Sequence, residues 1–352
     1  MCKDITNKIE DDFSLLELLI HDCARAEKIY QPGIYWANKS KSAINEIRRH
    51  GLSDFRGATN GASTSYGDNA YIDIRSSYDH GIRALFVIIL RKLYPFNILF
   101  NDQINLTKGY FNELVEYKSS YLKNNKRVKL LLSKYNMPRE TVKGGCLSFG
   151  DFDGKIIAHS YIRILDTLDR INEMVDLSKK KTFFEIGGGF GVNVHLLIEL
   201  FGIKKIIYLD IVPNLYVGTQ YLKSYYGVNV IDYARSKHMD QIKFSDSDEL
   251  EIFCIAPQQI VKVKTNIDLF HNAHSFVEMP IDVIKNYAEN IKAILSKSNG
   301  TISLVSYDGY DLNTTLDPNK LLGLFSKSAI TMHYPTLVPS RSHFHIVSPP
   351  IE

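Results

Sequence analysis

Thr182–Asn193, TFFEIGGGFGVN, is the stretch whose reading decides the fold. Thr182 and two phenylalanines lead into Glu185. Ile186 precedes three consecutive glycines, and Phe190 and Gly191 open an apolar run from Val192 to Leu200 with helical spacing. A strand that ends in a glycine turn and opens a helix is a nucleotide or nucleoside cradle. Glycine lets the backbone approach a ligand where a Cβ would clash, and the helix N-terminus adds unpaired N–H groups beside it.

Spacing separates the cradles. The dinucleotide fingerprint G-x-G-x-x-G fails in both registers: from Gly187 the third glycine falls on Val192, and from Gly189 on Val194. No G-K-[ST] follows, which excludes the phosphate loop. The pattern acidic-x-G-x-G-x-G fits Glu185, Gly187, Gly189 and Gly191, and it points to S-adenosyl-L-methionine as the cofactor. In that pattern the acid accepts from the ammonium of the methionine part, and no pyrophosphate needs neutralising. The next apolar run, Lys204–Asp210 (KKIIYLD), sits where a second parallel strand belongs. Asp210 at its end is placed to accept from both ribose hydroxyls.

Outward from this stretch, strands alternate with helices, which predicts an α/β fold: a Rossmann-like doubly wound sheet over residues 179–352. Strands are expected at 182–186, 206–210, 251–255, 267–272, 301–307 and 343–347, and helices at 214–226, 280–296 and 319–326. Residues 1–178 read as a mainly helical acceptor or lid domain, with helices at 12–30, 41–50, 79–93, 106–135 and 160–177. The helix at 41–50 is closed by Gly51, and the one at 106–135 breaks register near 123–126. Residues 144–159 (GGCLSFGDFDGKIIAH) read as a turn-rich connector. The loop at 57–71, rich in Gly and Tyr, is a candidate lid, since loops of such length are usually functional or disordered.

The chain has 352 residues, long enough for one large domain and a second. Its net charge of +3, with no arginine-rich stripe, gives no reason to expect a nucleic-acid partner. Cys2, Cys23, Cys146 and Cys254 form no C-x-x-C pair, so neither a zinc site nor a disulfide framework is expected, and a reducing cytoplasm fits. The polar start, MCKDITNKIEDDF, is not read as a signal peptide. The most apolar run, 82–100, contains Arg83, Arg91, Lys92 and Pro95, and so reads as a buried helix rather than a membrane span. Homo-oligomerisation stays open.

In such a sheet the ligand lies at the carboxyl ends of the strands. After the third strand, Gln258 is the candidate reader of the adenine amino group, or a plain exposed amide. After the fourth comes HNAHSFVEM, 271–279. Methylation of a hydroxyl needs its proton removed as the methyl moves, which His or a carboxylate can do. His274 and Glu278 are four apart, so on a helical turn they would share a face, as base and orienting group. His274 lining the pocket without proton transfer is the alternative. His271 reads as pointing to the opposite face in a structural role. Tyr307 and Asp308 are placed to meet a sugar hydroxyl or a metal. Arg341, His343 and His345 form a polar C-terminal cluster, but a lone H-x-H is weak as a metal signal. No metal ligand is assigned, and a divalent ion stays open. Trp36 reads as a core anchor before a sugar platform.

These residues carry a resemblance. EIGGGFG at 185–191, Asp210, and NAHSFVEMP at 272–280 are similar to the bacterial family of sugar O-methyltransferases, class I S-adenosylmethionine-dependent enzymes of surface-polysaccharide and natural-product gene clusters. The family's N-x-x-S-F-x-E-M signature falls on Asn272, Ser275, Phe276, Glu278 and Met279. YQPGIYW at 30–36 and GLSDFRG at 51–57 also resemble the family's start. His274 is not a fixed part of the signature, which raises the claim of Glu278 as base. The resemblance implies methyl transfer to a sugar hydroxyl, with Asn272 joining Glu185, the glycines, Asp210 and Gln258 around the cofactor. A non-sugar hydroxyl or amine acceptor, or a non-catalytic scaffold, stays open.

Overall fold

The computed structural model describes residues 9–56, 112–113, 115–307, 318–325, 330–337 and 342–348. In chain order the main helices are α1 Phe13–Arg25, α2 Ile34–His50, α3 Lys126–Lys134, α4 His159–Val175, α5 Val192–Phe201, α6 Asn214–Tyr226, α7 Ile281–Leu295 and α8 Pro318–Phe325. The strands are β1 Phe149–Phe152, β2 Lys155–Ala158, β3 Thr182–Ile186, β4 Lys205–Leu209, β5 Val230–Ile231, β6 Glu251–Ile255, β7 Leu269–Ala273, β8 Thr301–Tyr307, β9 Ile330–Pro335 and β10 Ser342–Ser348. Local chemistry sets several boundaries. Asp12 caps α1 by accepting from Leu15 N. Asn125 interrupts the helix before it and caps α3 by accepting from Arg127 N and Val128 N, which is the register break expected near 123–126. Gly51 closes α2 at φ +67°.

Eight strands form one sheet in the order β5-β6-β4-β3-β7-β8-β10-β9. The first six are parallel, and β10 runs antiparallel to both β8 and β9. This is the Rossmann-like doubly wound architecture. Strand order reverses at β3, with β4, β6 and β5 on one side and β7 and β8 on the other. The crevice for a ligand opens at that reversal.

Side chains alternate across the sheet and separate two cores. Phe183, Ile206, Tyr208 and Leu269 pack with α1 to α6 on one face. Phe184, Ile207, Phe270 and Ile302 pack with α7 and α8 on the other. Each large side chain buried this way contributes about 1.5–3 kcal/mol. The N-terminal helices share the first core, so Leu16, Ile47 and Leu131 belong to the same apolar cluster as Phe183.

Four features differ from the sequence reading. The supposed connector holds a hairpin, β1–β2, in which Phe152 faces Lys155 across Asp153 (φ +53°) and Gly154 (φ +81°). Two positive φ values in a two-residue loop are what Asp-Gly supplies. Helix α2 starts at Ile34 rather than 41, β4 ends before Asp210, and β5 and β9 were not foreseen. Loop 57–71, helix 79–93, the apolar run 82–100, Asp308 and Arg341 lie outside the described residues. His343 and His345 occupy alternate positions of β10, level with Tyr307 and Val305 of β8. Among the described residues no helix is long and apolar enough to cross a membrane.

Candidate active site

A cavity of about 280 Å³ opens at the carboxyl ends of β3, β4 and β7. One half of it is the glycine turn. Gly187 adopts φ +79°, and a Cβ there would lie 2.2 Å from Ser275 Oγ. At Gly188 a Cβ would lie 2.3 Å from Glu185 Oε2. Only a chain without Cβ atoms can therefore run this close to both β3 and the segment after β7. Gly189 faces open space at φ +62°. Gly191 caps α5 and does not line the cavity; a Cβ on it would lie 3.1 Å from Leu222 Cγ.

Asp210 lines the cavity and locks the turn: its Oδ2 accepts from Gly189 N (3.0 Å) and its Oδ1 from Ile211 N (2.7 Å). Burial pushes its carboxyl up to about 7, against those N–H bonds and helped by the charge of Glu278. Glu185 is placed differently from expectation. It does not line the cavity, because Gly188 lies over it. Its Oε1 accepts from Asn193 Nδ2 (2.5 Å), while its Oε2 is buried without a hydrogen-bond partner among the described residues. Burial raises its carboxyl to about 8, opposed by the Asn193 bond and helped by the charge of Asp210. Asn193 does line the cavity and stands between Glu185 and a ligand. Asn214 also lines it; Nδ2 reaches Asp210 Oδ1 (3.5 Å), and Oδ1 is buried and unpartnered among the described residues.

After β7 the chain does not make the helical turn expected from His274 to Glu278. His274 takes the left-handed conformation (φ +67°), with its N–H donated to Val305 O (2.8 Å), and a single turn begins only at Phe276–Glu278. The two side chains nevertheless line one cavity, brought there by the kink rather than by helical spacing. Asn272 is buried and internal: Nδ2 donates to Ile186 O (2.8 Å) and Ser275 Oγ (2.5 Å), and Oδ1 accepts from Phe276 N (3.2 Å). It ties the segment to the end of β3 instead of facing the cavity. His271 is fully buried and shares a hydrogen bond with Ser303 Oγ (3.0 Å). Burial lowers its imidazole to about 4, so it is neutral, in the structural place expected. Gln258 does not line the cavity; its Nε2 donates to the Tyr233 hydroxyl (3.3 Å).

The remaining wall comes from elsewhere in the chain. Trp36 of α2 lines it and donates Nε1–H to Glu278 Oε2 (3.0 Å). From α4 come Ser160, Arg163, Ile164 and Thr167, and Thr336 follows β9. The α4 residues recur at helical spacing, a signal available in the sequence. Trp36, read as a core anchor before a sugar platform, is half-buried and stands on the cavity wall instead, while Thr336 had no such signal. Among the described residues no group of three His, Cys, Asp or Glu side chains is arranged to hold a metal ion.

No protein-family model matches the chain. It is 24% identical over 255 residues to the DNA primase of Borreliella burgdorferi, which covers 66% of this chain and 44% of that protein. The chain thus matches less than half the length of that curated relative. Among solved structures it is similar to the mitomycin 7-O-methyltransferase (TM-score 0.37, 11% identity, 54% of each chain). It is also similar to magnesium protoporphyrin IX methyltransferase from Synechocystis with bound S-adenosylmethionine (TM-score 0.35, 10% identity, 55% of this chain and 85% of that one). A third is human N-acetylserotonin methyltransferase in complex with S-adenosylmethionine (TM-score 0.31, 14% identity, 53% of this chain and 55% of that one).

Proposed function

We propose that the chain is an S-adenosyl-L-methionine-dependent O-methyltransferase whose acceptor is a sugar hydroxyl of a surface polysaccharide or natural-product glycan. The observation that carries this reading is the joint made by Gly189 N and Asp210 Oδ2 on the cavity wall. It fixes a glycine cradle beside a carboxylate, with a second carboxylate, Glu185, directly beneath. Such a floor ionises to meet a cationic nucleoside cofactor and offers a pyrophosphate no cation at the turn. The open space beside Gly189, where a Cβ would meet no atom within 4 Å, and the orphaned Oδ1 of Asn214 on the cavity wall both fit that cofactor.

The bound cofactor supplies an activated methyl group on a sulfonium. The chain's own residues do the rest. Gly187–Gly189 let the backbone approach, Asp210 offers its cavity-facing carboxylate to ribose hydroxyls, and Asn193 and Asn214 offer polar groups beside it. Glu278 accepts the proton of the acceptor hydroxyl, and the Trp36 N–H orients its carboxylate. Residues 1–178 provide the acceptor wall through α2 and α4, and we assign them the role of lid. The sugar rests on the resemblance of residues 272–280 and on a wall pairing Trp36 with hydroxyl side chains. A flat aromatic hydroxyl is the second reading, favoured by Trp36, Ile164 and Met279 lining the same space.

The test is methyl transfer from isotope-labelled cofactor to a panel of free, nucleotide-linked and oligomeric sugars beside catechols and amines. Label on a sugar oxygen is expected. Label only on catechols or amines would overturn the sugar, and cofactor binding with no transfer to any acceptor would leave a scaffold.

A further inference from the structure

Arg163 is the only Lys or Arg among the described residues that line the cavity. It stands on α4, three residues after Ser160 and four before Thr167, so the helix turns all three toward one stripe. Its side chain is exposed, and among the described residues it forms no ion pair or side-chain hydrogen bond.

The acids one and two turns along α4 are committed elsewhere. Asp166, one turn along α4, is buried and pairs with Arg127 Nε (2.7 Å) and Arg170 Nε (3.4 Å). Asp169 is buried and pairs with Arg127 Nη2 (2.8 Å) and Lys134 Nζ (2.5 Å), and it also accepts from the Tyr135 hydroxyl (2.6 Å). Neither lines the cavity. Of the cavity's own carboxylates, Asp210 is held by Gly189 and Ile211, and Glu278 by Trp36. A guanidinium left over in a concave site, with Thr167 and Thr336 hydroxyls in the same lining, is a fork for a planar or tetrahedral oxyanion.

Resting on the methyl-transfer reading, we propose that the acceptor is anionic: Arg163 binds a carboxylate or phosphate carried by the sugar, and so fixes which hydroxyl meets Glu278. A uronate supplies the first group and a sugar phosphate or nucleotide sugar the second. Arg163 is then a specificity residue on the acceptor side, with no part in holding the cofactor.

The experiment titrates the full chain, saturated with S-adenosylhomocysteine, with inorganic phosphate, glucose 1-phosphate, glucuronate and neutral methyl glucoside. R163K and R163M are treated alike, and their thermal unfolding is compared with the unmodified chain. At least one anionic probe is expected to bind more tightly than methyl glucoside, and more weakly as salt rises. That binding should fall roughly tenfold or more in R163M and less in R163K, with S-adenosylhomocysteine affinity unchanged in both. A preference for glucuronate assigns the carboxylate, and one for glucose 1-phosphate the phosphate. Anionic probes binding no better than methyl glucoside, or equally well to R163M, would overturn the proposal while leaving the cofactor reading intact. A chain that does not take up S-adenosylhomocysteine at all removes both.

Discussion

The cofactor half of the cavity draws its residues from two adjacent strand ends, at 186–193 and 209–214, whereas the acceptor half gathers Trp36, α4, residues 274–279 and Thr336. The first half is backbone and buried acid, packed so tightly that a single Cβ on Gly187 has no room. The second is side chain on helices, carries the one arginine of the described lining, and meets the first at Glu278. The contrast teaches how such a site divides its work. On the proposed reading, cofactor binding is fixed by local chain geometry, while acceptor choice is set by elements that can change without disturbing the turn.

Substitutions should therefore separate into two groups. The broadest effect, on affinity and stability together, is expected for Gly187→Ala, which forces a Cβ against Ser275 Oγ in a left-handed backbone. Cofactor affinity should fall by about a hundredfold and stability by ~1–3 kcal/mol, read by calorimetry and thermal unfolding. Retained affinity would break the division at its rigid side. Next, Glu278→Ala should lower turnover by about 10²–10⁴-fold with cofactor affinity nearly intact. His274→Ala tested in parallel decides between the two bases: if both variants stay active, neither residue takes the proton.

A smaller loss, roughly tenfold in turnover, is expected for Trp36→Phe, which keeps a ring but removes the N–H that holds Glu278. Equal losses in cofactor binding and turnover would mean that α2 supports both halves. The smallest effect is on pH dependence. Glu185 and Asp210 bind protons more tightly in the folded chain, at about 8 and about 7, than in the unfolded chain. Their contribution to stability is thus fully present below the unfolded carboxyl range and is lost as pH rises through about 7 and 8. The unfolding temperature of the ligand-free chain should fall from pH 5 to pH 8.5, and Glu185→Gln should flatten that slope. Over the upper part of this range S-adenosylhomocysteine should bind more tightly, as its cation meets ionised acids. A stability that rises instead would place both carboxyls in a less buried setting.

The same contrast governs what the sequence discloses. Strands β3, β6 and β8 and helix α6 have the bounds read from their apolar runs, because both faces of the sheet are covered and the pattern is dense. Strand β9 escaped because it is an edge strand with Tyr334 its only buried residue. The β1–β2 hairpin has a local signal in Asp153-Gly154, which supplies the two positive φ values of its loop. Within the site, Gly187, Gly189 and Asp210 were legible from spacing along two strands. Glu185 was found, but its burial beneath Gly188 depends on how the turn folds back over β3. Asn272, expected beside the cofactor, instead holds the backbone of Ile186, a role set by how the chain folds back after β7. The bond from Trp36 to Glu278 spans 242 residues of sequence, which no local pattern encodes.

Isothermal titration of the full chain with S-adenosylmethionine, S-adenosylhomocysteine and NAD tests the cofactor half most directly. Binding of the first two and none of NAD is the expected result. Binding of NAD alone would contradict the reading of Glu185–Gly191, and no binding of any of the three would leave the Gly189–Asp210 joint as a structural feature without a ligand.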